Sequence, residues 1–341
     1  MKYLRAPDAV AAATTYKIMY ASRSIADRPI VVTGVAVVPD ASASANSRVV
    51  LTTGHGTTGL ADRCAPSLSP PAGLGGVGAA AVANNWIVAA TDYEGLGTPG
   101  PHPYLVGESE GRSVLDAALA AAQLPAANAS NRVLIAGYSQ GGHAALWANQ
   151  IANTWTPSLK VLGTFAGAPV TEIDRILQNA RTSPTRTLVV AIVAGYRAAY
   201  PTADPTRFLT DEGVARLAVT DQGCLPEIHE ATRSIDSAAL VRATGPTDRQ
   251  WLGLARRNNP GTGGSAGPVL IVHSNQDDVI PAELSAVLHD RMCARGEVVE
   301  RRVGSFGSHE RAALTAARVA LTWLTQRVKD TPVVNDCVPR A

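Results

Sequence analysis

The chain has 341 residues, 46% hydrophobic and 17% charged, enough apolar material to bury a large core and too little charge for a disordered polyelectrolyte. Thirty Lys and Arg against 28 Asp and Glu leave a formal charge of +2 with no run of like charge, which argues against a nucleic-acid binder or a protein drawn to an anionic membrane surface. No apolar stretch is long enough to cross a bilayer, and the first thirty residues, broken by Lys2, Arg5, Asp8, Lys17, Arg23 and Asp27, lack the unbroken apolar core of a signal peptide.

Short runs rich in Val and Ile, bounded by Gly, Pro and Asp, read as buried strands at 30–38, 48–53 and 86–91. An Ala-rich stretch with helical periodicity follows over 113–123. A strand over 132–136 then runs directly into Gly137-Tyr138-Ser139-Gln140-Gly141 and a helix over 142–152, and a further strand is expected at 160–166. The alternation stops after Ala168. From 169 to 267 there are several helix-like pieces and one doubtful strand at 188–193, ending in a Gly- and Pro-rich stretch, 259–265, whose composition suits a flexible connection. A strand at 268–273 and helices over 281–294 and 310–328 complete the chain. Alternation of this kind implies a mostly parallel sheet with helices on both faces. Residues 1–168 and 268–341 are then two parts of one core. The 169–267 segment is expected to be a helical cap above the strand ends, where open α/β sheets bind their ligands.

The sequence around Ser139 matches G-x-S-x-G, and strand, sharp turn and helix is the context in which that motif raises a nucleophilic serine. This places the chain in the α/β-hydrolase fold. In that fold the acid and then the histidine follow the serine along the chain. His55 and His102 precede Ser139, His143 lies one turn into the elbow helix, His273 ends a strand, and His229 and His289 fall in helix-like segments. His309 comes after the acid candidates, in a Gly-rich turn before the last helix. For the acid, the strand at 268–273 leads to both Asp277 and Asp278, and either would orient an imidazole. The backbone N–H of Gln140 is the expected first oxyanion donor; a second could come from the loop 54–59 or from 92–95. No metal or organic cofactor is needed for two-step acyl transfer. Cys64, Cys224, Cys293 and Cys337 show no metal-ligand spacing, and two disulfides in an exported protein are preferred over four buried thiols. The chain would then be a mature form without its signal.

Over most of its length the chain resembles the secretory lipase family, typified by fungal lipase A. The resemblance rests on Thr53-Gly54-His55-Gly56-Thr57, Asp92-Tyr93-Glu94-Gly95, the elbow, Gln276-Asp277-Asp278-Val279-Ile280-Pro281 and Ser308-His309. It implies Asp277 as the triad acid, Asp92 as the second oxyanion contact, a helical cap, and disulfides Cys64–Cys224 and Cys293–Cys337. Gln140 stands where the typical fungal member has Gly, and the chain is shorter, so the cap and the acyl site are expected to differ. The implied activity is hydrolysis of a small-molecule or lipid ester, with transient lipid contact through the cap. A serine exopeptidase or amidase, an acyltransferase, and a non-catalytic binding protein on the same fold are the alternatives.

Overall fold

Runs with no polar face must be covered on both sides, and here they form the parallel centre of a sheet. The computed structural model describes residues 1–69 and 74–337. Among these residues nine strands form one sheet: β1 (Lys2–Arg5), β2 (Ala13–Arg23), β3 (Pro29–Pro39), β4 (Arg48–Gly54), β5 (Ile87–Thr91), β6 (Ala129–Tyr138), β7 (Lys160–Gly167), β8 (Val269–Ser274) and β9 (Val299–Gly304). Their order is β1-β2-β3-β5-β4-β6-β7-β8-β9. The pairs β1–β2, β2–β3 and β3–β5 are antiparallel, and every pair from β5 onward to β9 is parallel. With helices on both faces this is the expected α/β-hydrolase fold.

Along β6 the side chains alternate between two cores. Val133 and Ile135 pack with Val114 and Leu115 of the helix Gly107–Ala121 and Ala145 and Ala148 of the helix Gln140–Trp155. Leu134 and Ala136 face the other way, into a cluster with Ala316, Trp323 and Leu324 of the last helix, His309–Val328. Burying both faces makes the strand ends the free edge on which a site can be built.

The six expected strands are present with ends shifted by a few residues, and three more were not legible. β2 alternates Thr, Tyr and Lys with apolar residues, β1 is exposed throughout, and β9 carries Glu300, Arg301 and Arg302. β1 and β9 are the two edges of the sheet, where charged and exposed residues are tolerated because only one side is paired.

Between β7 and β8 the described regular elements are helical. The doubtful strand at 188–193 is the buried middle of a helix, Arg186–Ala199; a short apolar run cannot by itself distinguish a strand from a wholly buried helical turn. These helices share one hydrophobic cluster with Leu60, Leu105, Val106 and Ile280 from the rest of the chain, and in it Tyr196, Phe208 and Trp251 are fully buried. The stretch 259–265 is tied down instead of loose. Asn259 accepts from the Ile173 N–H at 2.7 Å and donates to Asp174, and the Thr262 N–H reaches Gln150. Just beyond it, Asn149 takes the N–H groups of Ala266 and Gly267. Composition misled here because the partners lie on distant elements. Both implied disulfides are formed: Cys64–Cys224 ties the β4–β5 connection to the helical segment, and Cys293–Cys337 ties the C-terminal stretch to the helix Ala282–Ala294.

Candidate active site

Ser139 sits between β6 and the helix Gln140–Trp155 with φ 59° and ψ −120°, a backbone conformation that L-residues adopt only when the surroundings impose it. Two glycines make the turn possible. A Cβ on Gly137 would lie 1.9 Å from the Gly141 carbonyl oxygen, and one on Gly141 would lie 2.1 Å from that of Gly54. The elbow is fixed by the Ser139 N–H bonding to Gly167 on β7 at 2.9 Å and the His143 N–H bonding to the Ser139 carbonyl at 3.1 Å. Gln140 opens the helix, so its N–H is among those left without an intrahelical acceptor.

Because β6, β8 and β9 run parallel, Ser139, Asp277 and His309 all follow strand ends on one edge of the sheet. The Asp277 carboxylate takes the Nδ1 of His309 at 2.7 Å, so the proton rests on Nδ1 and Nε2 is left as an acceptor. Its other oxygen accepts from the N–H groups of Val279 and Ile280 at 2.9 and 2.7 Å. Burial by itself would raise the Asp277 pKa. The hydrogen bonds from His273 and His309, the nearby imidazole charge and the Ile280 N–H outweigh it and hold the carboxylate well below its ordinary range. Asp278 points elsewhere: its Oδ1 accepts the backbone N–H of His309 at 2.9 Å.

Two contributors escaped the sequence. His273, one residue before the end of β8, aims the same Nε2–H between the Ile280 carbonyl at 3.0 Å and the Asp277 carboxylate at 3.4 Å. Tyr138, the variable residue before the serine, donates its hydroxyl to the His309 carbonyl at 2.7 Å. Its place in G-x-S-x-G gave its address but not its partner.

The two loops left open as the second oxyanion source are arranged differently. Gly56 lies against Ser139, with a Cβ on it falling 3.9 Å from that of the serine. Asp92 is buried at the end of β5; its N–H is given to the Thr33 carbonyl, and its carboxylate accepts from the Thr33 hydroxyl and the Ser67 N–H, each at 2.8 Å. In this arrangement Asp92 braces the β3 strand and the loop at Ser67 against the end of β5. Among the described residues, His289, Cys293 and Cys337 form the group whose donor atoms are close enough to share a metal, but the disulfide removes both thiolates.

A model of the family described as secretory lipase matches residues 77–235 and 261–336, well over half of the chain. The chain belongs to the secretory lipase family. This places it among the carboxylic-ester hydrolases. The chain is 23% identical to lipase A of Arthroderma benhamiae, the match covering 95% of this chain and 73% of that one. It is 25% identical to a protein of Mycobacterium tuberculosis named "Probable inactive lipase", over 94% of this chain and 75% of that one. Its fold is that of Candida antarctica lipase A in its closed state, with a TM-score of 0.79 at 22% identity over 96% of this chain and 80% of that one. Among the described residues, no helix is long and apolar enough to cross a membrane.

Proposed function

We propose that this protein hydrolyses carboxylic esters through an acyl-enzyme on Ser139. The observation that carries the reading is the Asp277–His309 hydrogen bond at the strand edge that also bears the strained Ser139 elbow. With its proton fixed on Nδ1, His309 accepts the Ser139 proton at Nε2 as the hydroxyl attacks the ester carbonyl. It then hands that proton to the leaving alcohol, and water repeats the sequence to release the acid. Asp277 stabilises the imidazolium formed on the way and stays ionised throughout.

The developing oxyanion is met by the Gln140 N–H at the helix N-terminus, where negative charge is favoured. Asp92 is committed to Thr33 and Ser67, so we place the second donor on the backbone of Gly56 and Thr57, in the loop that lies against Ser139. The segment 169–267 serves as a cap that limits acyl length and makes transient contact with lipid, and the protein acts outside the cell, as the family description suggests.

The test is covalent labelling. A p-nitrophenyl phosphate triester should modify Ser139 stoichiometrically, release p-nitrophenol and abolish hydrolysis of p-nitrophenyl esters. Ser139→Ala should lose roughly a millionfold in kcat. Retention of more than a tenth of wild-type activity in Ser139→Ala, in a clean preparation, would refute the assignment.

A further inference from the structure

Behind the elbow lies a chain of polar side chains that the acyl-transfer steps do not use. Gln140, Glu110 and His143 are wholly shielded from solvent, and His102 is nearly so. His102 donates from Nδ1 to the Glu94 carbonyl at 2.7 Å, which leaves its Nε2 as an acceptor; burial pushes its pKa down to about 4, so the ring is neutral. The amide nitrogen of Gln140 spends one hydrogen on that Nε2 at 3.0 Å and the other on Glu110 Oε1 at 2.8 Å. Glu110 Oε1 also accepts the Leu105 N–H, and Oε2 lies 2.6 Å from His143 Nδ1. His143 Nε2 faces the Asn258 carbonyl at 2.9 Å and must donate to it, so a proton also lies between Nδ1 and Glu110.

Each link is forced by the one before it, and the chain ends where the helical segment returns to the core. A buried Glu–His pair is costly to desolvate, and an apolar pair of equal volume would serve packing as well or better. The Gln140 carbonyl oxygen is buried without a partner, so the amide keeps both N–H bonds at the expense of a lone pair. Packing alone does not account for such an arrangement.

We infer that the Gln140 side chain is a positioning residue: anchored by His102 and by the Glu110–His143 pair, it fixes the first turn of the elbow helix so that its own backbone N–H points at the oxyanion. This rests on the Ser139 acyl-enzyme reading. A glycine at this position would leave the same N–H with no side-chain anchor. The His102, Glu110 and His143 assembly then has nothing to hold.

The experiment compares wild type with Gln140→Met, which keeps the volume but neither donor, Gln140→Gly, and Glu110→Gln, each counted by phosphate-triester titration of active serine. The expected result is a fall of about tenfold or more in kcat per titrated site, with KM for a short p-nitrophenyl ester changed by less than about twofold. Affinity for a trifluoromethyl ketone, which forms the oxyanion on Ser139, should fall by the same factor as kcat. Glu110→Gln added to Gln140→Met should lower kcat no further than the worse single change, because the residues act as a unit. If Gln140→Met does not fold, Gln140→Gly, with no side chain to accommodate, decides. Losses confined to Tm, with kcat per titrated site unchanged, overturn the inference, as does simple additivity. Absence of labelling at Ser139 in wild type would overturn the acyl-enzyme reading itself, and this inference with it.

Discussion

Asp278 holds the backbone N–H of His309 at 2.9 Å while its neighbour Asp277 holds the Nδ1 of the same residue at 2.7 Å. Adjacent carboxylates therefore grip one histidine at two places, one setting the ring and the other the start of the helix that carries it. Asp277→Asn should cost on the order of ten-thousandfold in kcat, since an amide favours the wrong imidazole tautomer. Asp278→Asn retains an acceptor oxygen and should stay near wild type. Asp278→Ala removes the side-chain acceptor for the His309 N–H at the start of the last helix and should cost about 1 kcal/mol of stability. Comparing kcat for the two amide variants decides the assignment, and a larger loss in Asp278→Asn reverses it.

The depressed Asp277 pKa has a consequence for acid stability. Its folded value lies below an unfolded value of about 3.9, so the folded state holds fewer protons and the contribution is fully present above that range. It is lost as pH falls through the folded value. Urea unfolding of wild type should therefore lose free energy between about pH 5 and pH 2 more steeply than Asp277→Asn does. Parallel curves for the two proteins would show that this carboxylate is not differentially ionised.

Cys64 and Cys224 are separated by 160 residues and Cys293 and Cys337 by 44. On the chain-entropy model, closing these loops stabilises by at most about 5 and about 4 kcal/mol. Cys64→Ser with Cys224→Ser should lower Tm more than Cys293→Ser with Cys337→Ser. Peptide mapping under non-reducing conditions should recover both bridges from protein made in an oxidising compartment; four free thiols would contradict them.

Glu172, buried with a left-handed backbone, pairs with Arg291 at 2.6 Å, and Arg291 also reaches the Pro260 carbonyl at 2.9 Å. One guanidinium thus joins both ends of the helical segment to the helix Ala282–Ala294. Arg291→Met leaves Glu172 uncompensated and should destabilise by about 3–5 kcal/mol. Adding Glu172→Gln should restore part of that loss. A denaturant titration in which the double variant is as unstable as Arg291→Met would mean that burial of the carboxylate is not the cost.

Ile176 of the helical segment lines a cavity of about 160 Å³ together with Asp277, the proposed triad acid, and its near neighbour Val279. If the segment limits acyl length, Ile176→Trp should shift the preference among p-nitrophenyl esters from acetate to palmitate toward shorter chains. An unchanged profile in a folded variant counts against gating from this side.

What the sequence determined by itself was the fold, together with the candidate nucleophile Ser139 and the order along the chain of the partners proposed for it. These rest on local rules: a serine between two glycines that must be small, a strand before it and a helix after it, and a histidine at a loop after the last acid candidates. Periodicity found the centre of the sheet because those strands are apolar at every position, and it missed β1 and β9 because edge strands are exposed or charged. The choice between Asp277 and Asp278 needed family resemblance, since adjacent side chains give no local sign of direction. Tertiary structure decided what each carboxylate grips, that His273 lies against Asp277 and Tyr138 bonds to the His309 carbonyl, that Asp92 bonds to Thr33 and Ser67, and that His143, read in sequence as one more helical histidine, is paired with Glu110 behind the elbow. All of these depend on hydrogen bonds between elements far apart in the chain, and a hydrogen bond is set by the direction and distance of two atoms, which the spacing of residues along one strand or helix does not carry.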